Sequence, residues 1–259
     1  MSALLTALGL NPSDLVIPLL LLIAFLFLAI VTTRLQRGAL SLRLRPLPGV
    51  RTLEMLAGRA LEEGRTVHLA LGTGRLDGAT AAETLMGLVA LDWLAGQAAR
   101  TSAAPLVTTA DPVAVLIAQD QLRGGDIERG WRTLDDARFI APDPAAYSAG
   151  TRGLMAREAQ HLNALLGHFG DEYLLLAAER PAGAAPIDRP AVAGSARLET
   201  LPQITLTAEQ SFLGEDLFAL GAYLACWPSH VAALVVQDSA RLLIVIVILG
   251  GALLRTLGG

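Results

Sequence analysis

Lysine is absent from this chain: all 20 of its basic residues are arginine. That absence excludes Schiff-base chemistry, the lysine of a phosphate-binding P-loop and a lysine general base. Cys226 is the only cysteine, so no intrachain disulfide and no multi-cysteine zinc or iron–sulfur site can form. His230 follows it by one helical turn, yet the apolar run from Ala222 to Ala233 suits a packed thiol better than a nucleophile. A basic excess is missing too. The net charge is −4 and is spread along the chain, which leaves no face able to neutralise several phosphates, and nucleic acid is set aside as a partner. There is no GxSxG nucleophile elbow, and no heptad, short repeat or low-complexity segment outside an Ala/Pro/Gly-rich stretch.

What is present is apolar. Hydrophobic residues make up 53% of the 259 and charged residues 17%, with a mean hydropathy of +0.50. Leu15 to Thr33 carries no charge, and as a helix it would reach roughly 28 Å, close to a hydrocarbon core. Asp14 before it and Arg34 and Arg37 after it fit a retained anchor rather than a cleaved signal peptide. Pro18 lies near its start, where a missing N–H costs little. Arg34, Arg37, Arg43, Arg45 and Arg51 crowd the end of this segment and none precedes it, so the N-terminus is expected outside and the main domain in the cytoplasm.

A second uncharged run, Leu242 to Leu254, lies between Arg241 and Arg255. It reaches only about 20 Å alone, but Ser239 to Leu257 spans if both arginines snorkel to opposite interfaces, the alternative being an amphipathic or buried terminal helix. Trp227 stands where the chain returns to the bilayer and suits an interfacial anchor or a packed core equally. The expectation is a two-pass protein of the inner or plasma membrane with both termini outside. It would have a tail 1–14, a first membrane helix 15–33, a linker 34–50, an α/β domain 51–238 and a second membrane helix 239–257.

Within the domain, Arg51 to Gly64 has helical spacing. Thr66 to Leu71 reads as a strand, Gly72-Thr73-Gly74 as a turn, and Thr80 to Ala99 as an Ala-rich helix. Ala104 to Thr109 and Arg138 to Ala141 repeat the pattern, with Asp111-Pro112 and Asp143-Pro144 opening the following helices. A fourth strand is expected over His161 to Leu166, a turn at Gly167 to Gly170 and a helix from Asp171. Pro181 to Pro202 reads as a loop, Gln203 to Leu206 and Ser211 to Leu213 as short strands, and Leu217 to Leu224 as a helix. Alternating strands and helices imply a Rossmann-like α/β fold, a mostly parallel sheet with helices on both faces.

Five blocks carry a family likeness: VHLALGTG (67–74), VTTADP (107–112), FIAPDPAAYSAG (139–150), GHFGDEYLLLA (167–177) and FLGEDLFALGAYL (212–224). Together they resemble an uncharacterised domain family of bacterial membrane-anchored α/β proteins. The resemblance implies a tethered α/β domain and brings no activity or site residues with it.

The candidate ligand site is Gly72, Thr73 and Gly74, with Gly78 beyond. Glycines after a first strand let backbone N–H groups approach a phosphate at a helix start. The spacing departs from GxGxxG, and a plain tight turn explains it as well. Asp111, Asp143, Asp171, Glu172 and Glu215 all follow strands and should gather at the carboxyl edge of the sheet. There they would serve as ligands or acid–base groups, or simply cap helices. His161 and His168 join the densest polar set, although their spacing does not require a shared site, and His68 inside a strand reads as a satisfied interior residue. No catalytic set, metal site or cofactor stands out.

The function expected from sequence is therefore a non-catalytic scaffold or partner-binding domain. It would be a homo-oligomer or a subunit of a larger membrane complex, held by the bilayer, its helices and the Ala-rich face of Thr80 to Ala99. The alternative is a nucleotide- or anion-binding enzyme or sensor using the glycine turn and the carboxylates.

Overall fold

The structure is a computed structural model and describes residues 12–37, 44–99, 105–124, 136–157, 160–177, 192–224 and 227–257. It divides into two compact units, Arg45–Ala225 and a helical unit made of Met1–Leu44 with Cys226–Gly259.

The larger unit is built on six strands: β1 (Thr66–Gly72), β2 (Leu106–Thr109), β3 (Ala137–Phe139), β4 (Gln160–His168), β5 (Val192–Ser195) and β6 (Gln210–Leu213). They form one sheet in the order β3-β2-β1-β4-β5-β6, and every neighbouring pair is parallel. This is the doubly wound order, with its switch point between β1 and β4.

A parallel sheet must be covered on both faces, and two apolar clusters do this. On one face Val67, Leu69, Leu71, Val107, Leu166 and Phe212 meet the helices α2 (Pro48–Glu62), α3 (Ala81–Ala98), α4 (Pro112–Gly124) and α8 (Glu215–Leu224). On the other, Ala70, Leu165 and Ala193 meet α5 (Pro144–Arg157), α6 (Tyr173–Ala177) and α7 (Leu201–Thr207), which supply Tyr147, Tyr173 and Ile204. Period-two alternation along β1 sends Val67, Leu69 and Leu71 one way and His68 and Ala70 the other. The Ala-rich helix α3 lies against the sheet, with Thr84, Gly87, Leu88, Ala90, Leu91, Leu94, Ala95 and Ala98 buried. That face is internal and is not free to bind a second copy.

Two short elements differ from the sequence reading. Gln203–Leu206, expected as a strand, lies within helix α7, which has a proline in its first turn, a position that suits a helix start. Val192–Ser195, expected within a loop, is β5, a buried interior strand.

The helical unit holds α1 (Pro12–Gln36) and α9 (Pro228–Leu257), which pack on each other. The expected flanking transmembrane helices are corrected here: among the described residues, no helix is long and apolar enough to cross a membrane. In α9 the apolar run does not form a separate helix from Ser239. It continues a helix begun at Pro228, which carries Asp238 and Arg241 just before the apolar run. The two-pass membrane location, with a cytoplasmic domain and both termini outside, loses its support with the spans.

Candidate functional site

The site builds outward from the switch point, where β1 and β4 end side by side. Leu71-Gly72 and Leu166-Gly167 approach each other through their glycines. A Cβ on Gly72 (φ +80°) would lie 1.9 Å from the His168 carbonyl oxygen, and one on Gly167 (φ +154°) would lie 2.1 Å from that of Leu71. Only glycine allows both this approach and the positive φ of residue 72. The Thr73 N–H then donates to His168 O at 2.9 Å. Close strand approach thus accounts for the glycine at 72. At Gly74 an added Cβ would meet Thr84 Oγ1 at 2.3 Å and His168 Cβ at 2.6 Å, so packing occupies that side as well.

Two carboxylates cross the switch point in opposite directions. Glu83, in the first turn of α3 after β1, accepts from His168 Nδ1 at 3.2 Å through Oε1. Its Oε2 accepts from Ser195 Oγ at 3.1 Å and the Ala196 N–H at 3.2 Å. Glu172, just before α6 after β4, accepts through Oε1 from Thr73 Oγ1 at 2.6 Å and from the Gly170 N–H at 2.9 Å. Each half of the sheet thus sends a glutamate to the residue that follows the other half's glycine. Burial pushes the Glu83 carboxyl up, but the bonds from His168, Ala196 and Ser195 outweigh it and hold it below its ordinary value.

This arrangement bears directly on phosphate. The N-terminus of α3 is where the dinucleotide fold places a pyrophosphate, and here Glu83 supplies the negative charge that the helix dipole favours. The Thr73 and Ser195 hydroxyls and the Gly170 and Ala196 N–H groups already hold the chain's own carboxylates.

The carboxylates expected at the strand ends are at that edge but do not form one site. Asp111 caps α4, accepting from the Val113 N–H at 3.1 Å, and its other oxygen accepts from the Leu76 N–H at 2.9 Å, which ties down the loop after the glycine turn. Asp143 caps α5 through the Ala146 N–H at 2.9 Å. Glu215 is exposed in the first turn of α8. Asp143 follows β3 and Glu215 follows β6, opposite edges of the sheet, which at about 4.8 Å per strand spacing puts roughly 24 Å between those edges. Asp171 is exposed beside Glu172. Among the described residues, no group of three or more His, Cys, Asp and Glu could hold a metal ion.

Of the histidines, His68 is fully buried and satisfied, with Nδ1 2.7 Å from Asn163 Oδ1 and Nε2 3.0 Å from Thr108 Oγ1. Burial lowers its pKa to about 4 against the opposing bond to Asn163. His168 belongs to the switch point; the side chain of His161 and the whole of Cys226 lie outside the described residues.

The expected membrane anchors have other surroundings. Arg34 and Arg37 are exposed at the end of α1, Arg241 lies 3.7 Å from Asp238 one turn back, and Trp227 packs edge-on to His230 at 5.2 Å between ring centroids. Arg255's side chain is outside the described set.

The sequence reading did not single out Glu83, Ser195, Arg197 and Tyr147. A local likeness points to Ser195 and Arg197: Gly72-Thr73-Gly74-Arg75-Leu76-Asp77 at the end of β1 resembles Gly194-Ser195-Ala196-Arg197-Leu198-Glu199 at the end of β5. In each loop the arginine Nε donates to the acid two residues on, at 2.9 Å. In each the hydroxyl residue donates to a switch-point glutamate.

No curated protein and no solved structure matches the chain. One family profile, described as a domain of unknown function (DUF6754), matches residues 10–259. That match runs through the α/β unit and both helices of the helical unit, and the chain belongs to this family.

Proposed function

We propose that this chain is a non-catalytic binding module that acts by association, forming a homo-oligomer or joining a larger assembly through its helical unit. The observation that carries the reading is the pair of crossing bonds, Glu83 to His168 and Thr73 to Glu172. They cross the switch point where an open α/β sheet takes its ligand, and they put carboxylates where a phosphate would need donors. The helical unit supports the association half of the proposal. Phe25, Leu26 and Ile30 of α1 and Leu242, Ile244 and Ile248 of α9 are exposed, and apolar patches of this kind mark surfaces that work against a partner. Sedimentation of the full chain at micromolar concentration tests it: the reading expects a defined oligomer that dissociates when Phe25 and Ile248 become Ser, and a monodisperse monomer contradicts it.

One observation favours the nucleotide- or anion-binding reading, the strand order itself, whose switch point is the dinucleotide crevice. A bulky residue at position 74 does not test it, because any side chain there collides with Thr84 and His168. Glu83→Gln does. An anion site at the start of α3 should bind inorganic phosphate or ATP about tenfold tighter once that carboxylate is neutral, whereas the association reading expects no binding in either form.

A further inference from the structure

Beneath the glycine turn runs a line of buried polar groups that the association reading does not use. His68 of β1, Thr108 of β2, Asn163 of β4 and Tyr147 of α5 are all at most 3% exposed. They are joined in sequence: Asn163 Oδ1 to His68 Nδ1 at 2.7 Å, His68 Nε2 to Thr108 Oγ1 at 3.0 Å, and Thr108 Oγ1 to Tyr147 Oη at 3.2 Å. The Gly72 N–H completes the line, donating to Tyr147 Oη at 3.3 Å. It does so where the pairing of β1 with both β2 and β4 shifts register between Ala70 and Gly72.

Asn163 Oδ1 can only accept, and that gives the line a direction. His68 therefore carries its proton on Nδ1, and its Nε2 accepts from the Thr108 hydroxyl. Thr108 Oγ1 in turn accepts from Tyr147 Oη, which itself accepts the Gly72 N–H. Bonds in such a chain polarise one another.

We infer that this buried chain is a coupling device that ties helix α5 and the centre of the sheet to the backbone of the Gly72 turn. Tyr147 and Thr108 are positioning residues for that turn. A displacement of α5, which carries Tyr147, changes the hold on Gly72, and through the Thr73 hydroxyl the turn reaches Glu172 on the far side of the switch point. The crevice contacts are thereby linked to an element on the opposite face from α3. The inference stands on these bonds alone and does not depend on the association reading.

The test is native-state amide exchange on the full chain, read at Gly72 and, as internal references, at Leu69 and Leu165. Tyr147→Phe removes the hydroxyl and keeps the ring, and Thr108→Val removes the middle of the chain at nearly constant volume. Both variants should speed exchange at Gly72 roughly five- to tenfold beyond any change at the reference amides, and the double variant should add little to the larger single effect. Uniform acceleration across β1 and β4 would mean simple loss of stability and would overturn the inference. So would a response at Gly72 to Tyr147→Phe but not to Thr108→Val. If Tyr147→Phe does not fold, Thr108→Val alone decides between the two.

Discussion

The Thr73 hydroxyl donates to the buried Glu172 carboxylate at 2.6 Å, joining residues 99 positions apart across the switch point of the sheet. Glu172 is 6% exposed, and its Oε1 also receives the Gly170 N–H. Truncating it leaves both donors without that acceptor, and bonds to a charged group contribute about 1.5–3 kcal/mol. Glu172→Ala should therefore cost about 2–3 kcal/mol in urea unfolding. Glu172→Gln, which keeps an acceptor oxygen, should cost clearly less. Equal losses would mean that side-chain volume rather than the bond to Thr73 matters.

The paired glycines of β1 and β4 make a sharper prediction. Gly72→Ala and Gly167→Ala each place a methyl about 2 Å from a backbone oxygen, and neither variant should give a cooperative unfolding transition. Gly96 is the contrasting case: it lies within α3, is exposed and has nothing near a would-be Cβ. Gly96→Ala should raise stability by about 0.5–1 kcal/mol.

His68 gives a pH dependence whose sign can be worked out. Its folded-state pKa is about 4, against 6.5 in the unfolded chain. Between those values the unfolded state binds more protons, so stability is fully present above pH 6.5 and declines as pH falls toward 4, by about 3 kcal/mol in all. Glu83 adds its own loss below its ordinary 4.5, so the window from pH 6.5 to about 5 isolates the histidine. His68→Gln should flatten stability in that window; an unchanged slope would show that another group is titrating.

Much of the sheet was legible because its strands are short apolar runs ended by Gly or Asp-Pro. Thr66–Gly72, Leu106–Thr109 and Gln160–His168 stand out on that pattern alone. Val192–Ser195 did not, since a four-residue strand of Val, Ala, Gly and Ser beside a Pro-rich stretch has neither alternation nor bulk. Gln203–Leu206 holds the β-branched Ile204 and Thr205, which suit a strand, but the proline in the first turn and packing of Ile204 against the sheet favour a helix. The capping roles of Asp111 and Asp143 were local and readable. The bonds from Glu83 to His168 and from Thr73 to Glu172 close over 85 and 99 residues, and pairings of that range arise from tertiary packing. Leu15–Thr33 has the uncharged length of a membrane span and does lie within one helix, α1. Among the described residues no such span exists.

The most direct measurement of the central claim, that the switch-point crevice is closed by the chain's own side chains, is calorimetric titration of the full chain with ATP, NAD and inorganic phosphate at low salt. The account predicts no saturable heat with any of the three. Saturable binding at micromolar concentration that disappears in Thr73→Val would contradict it and make the glycine turn a ligand site.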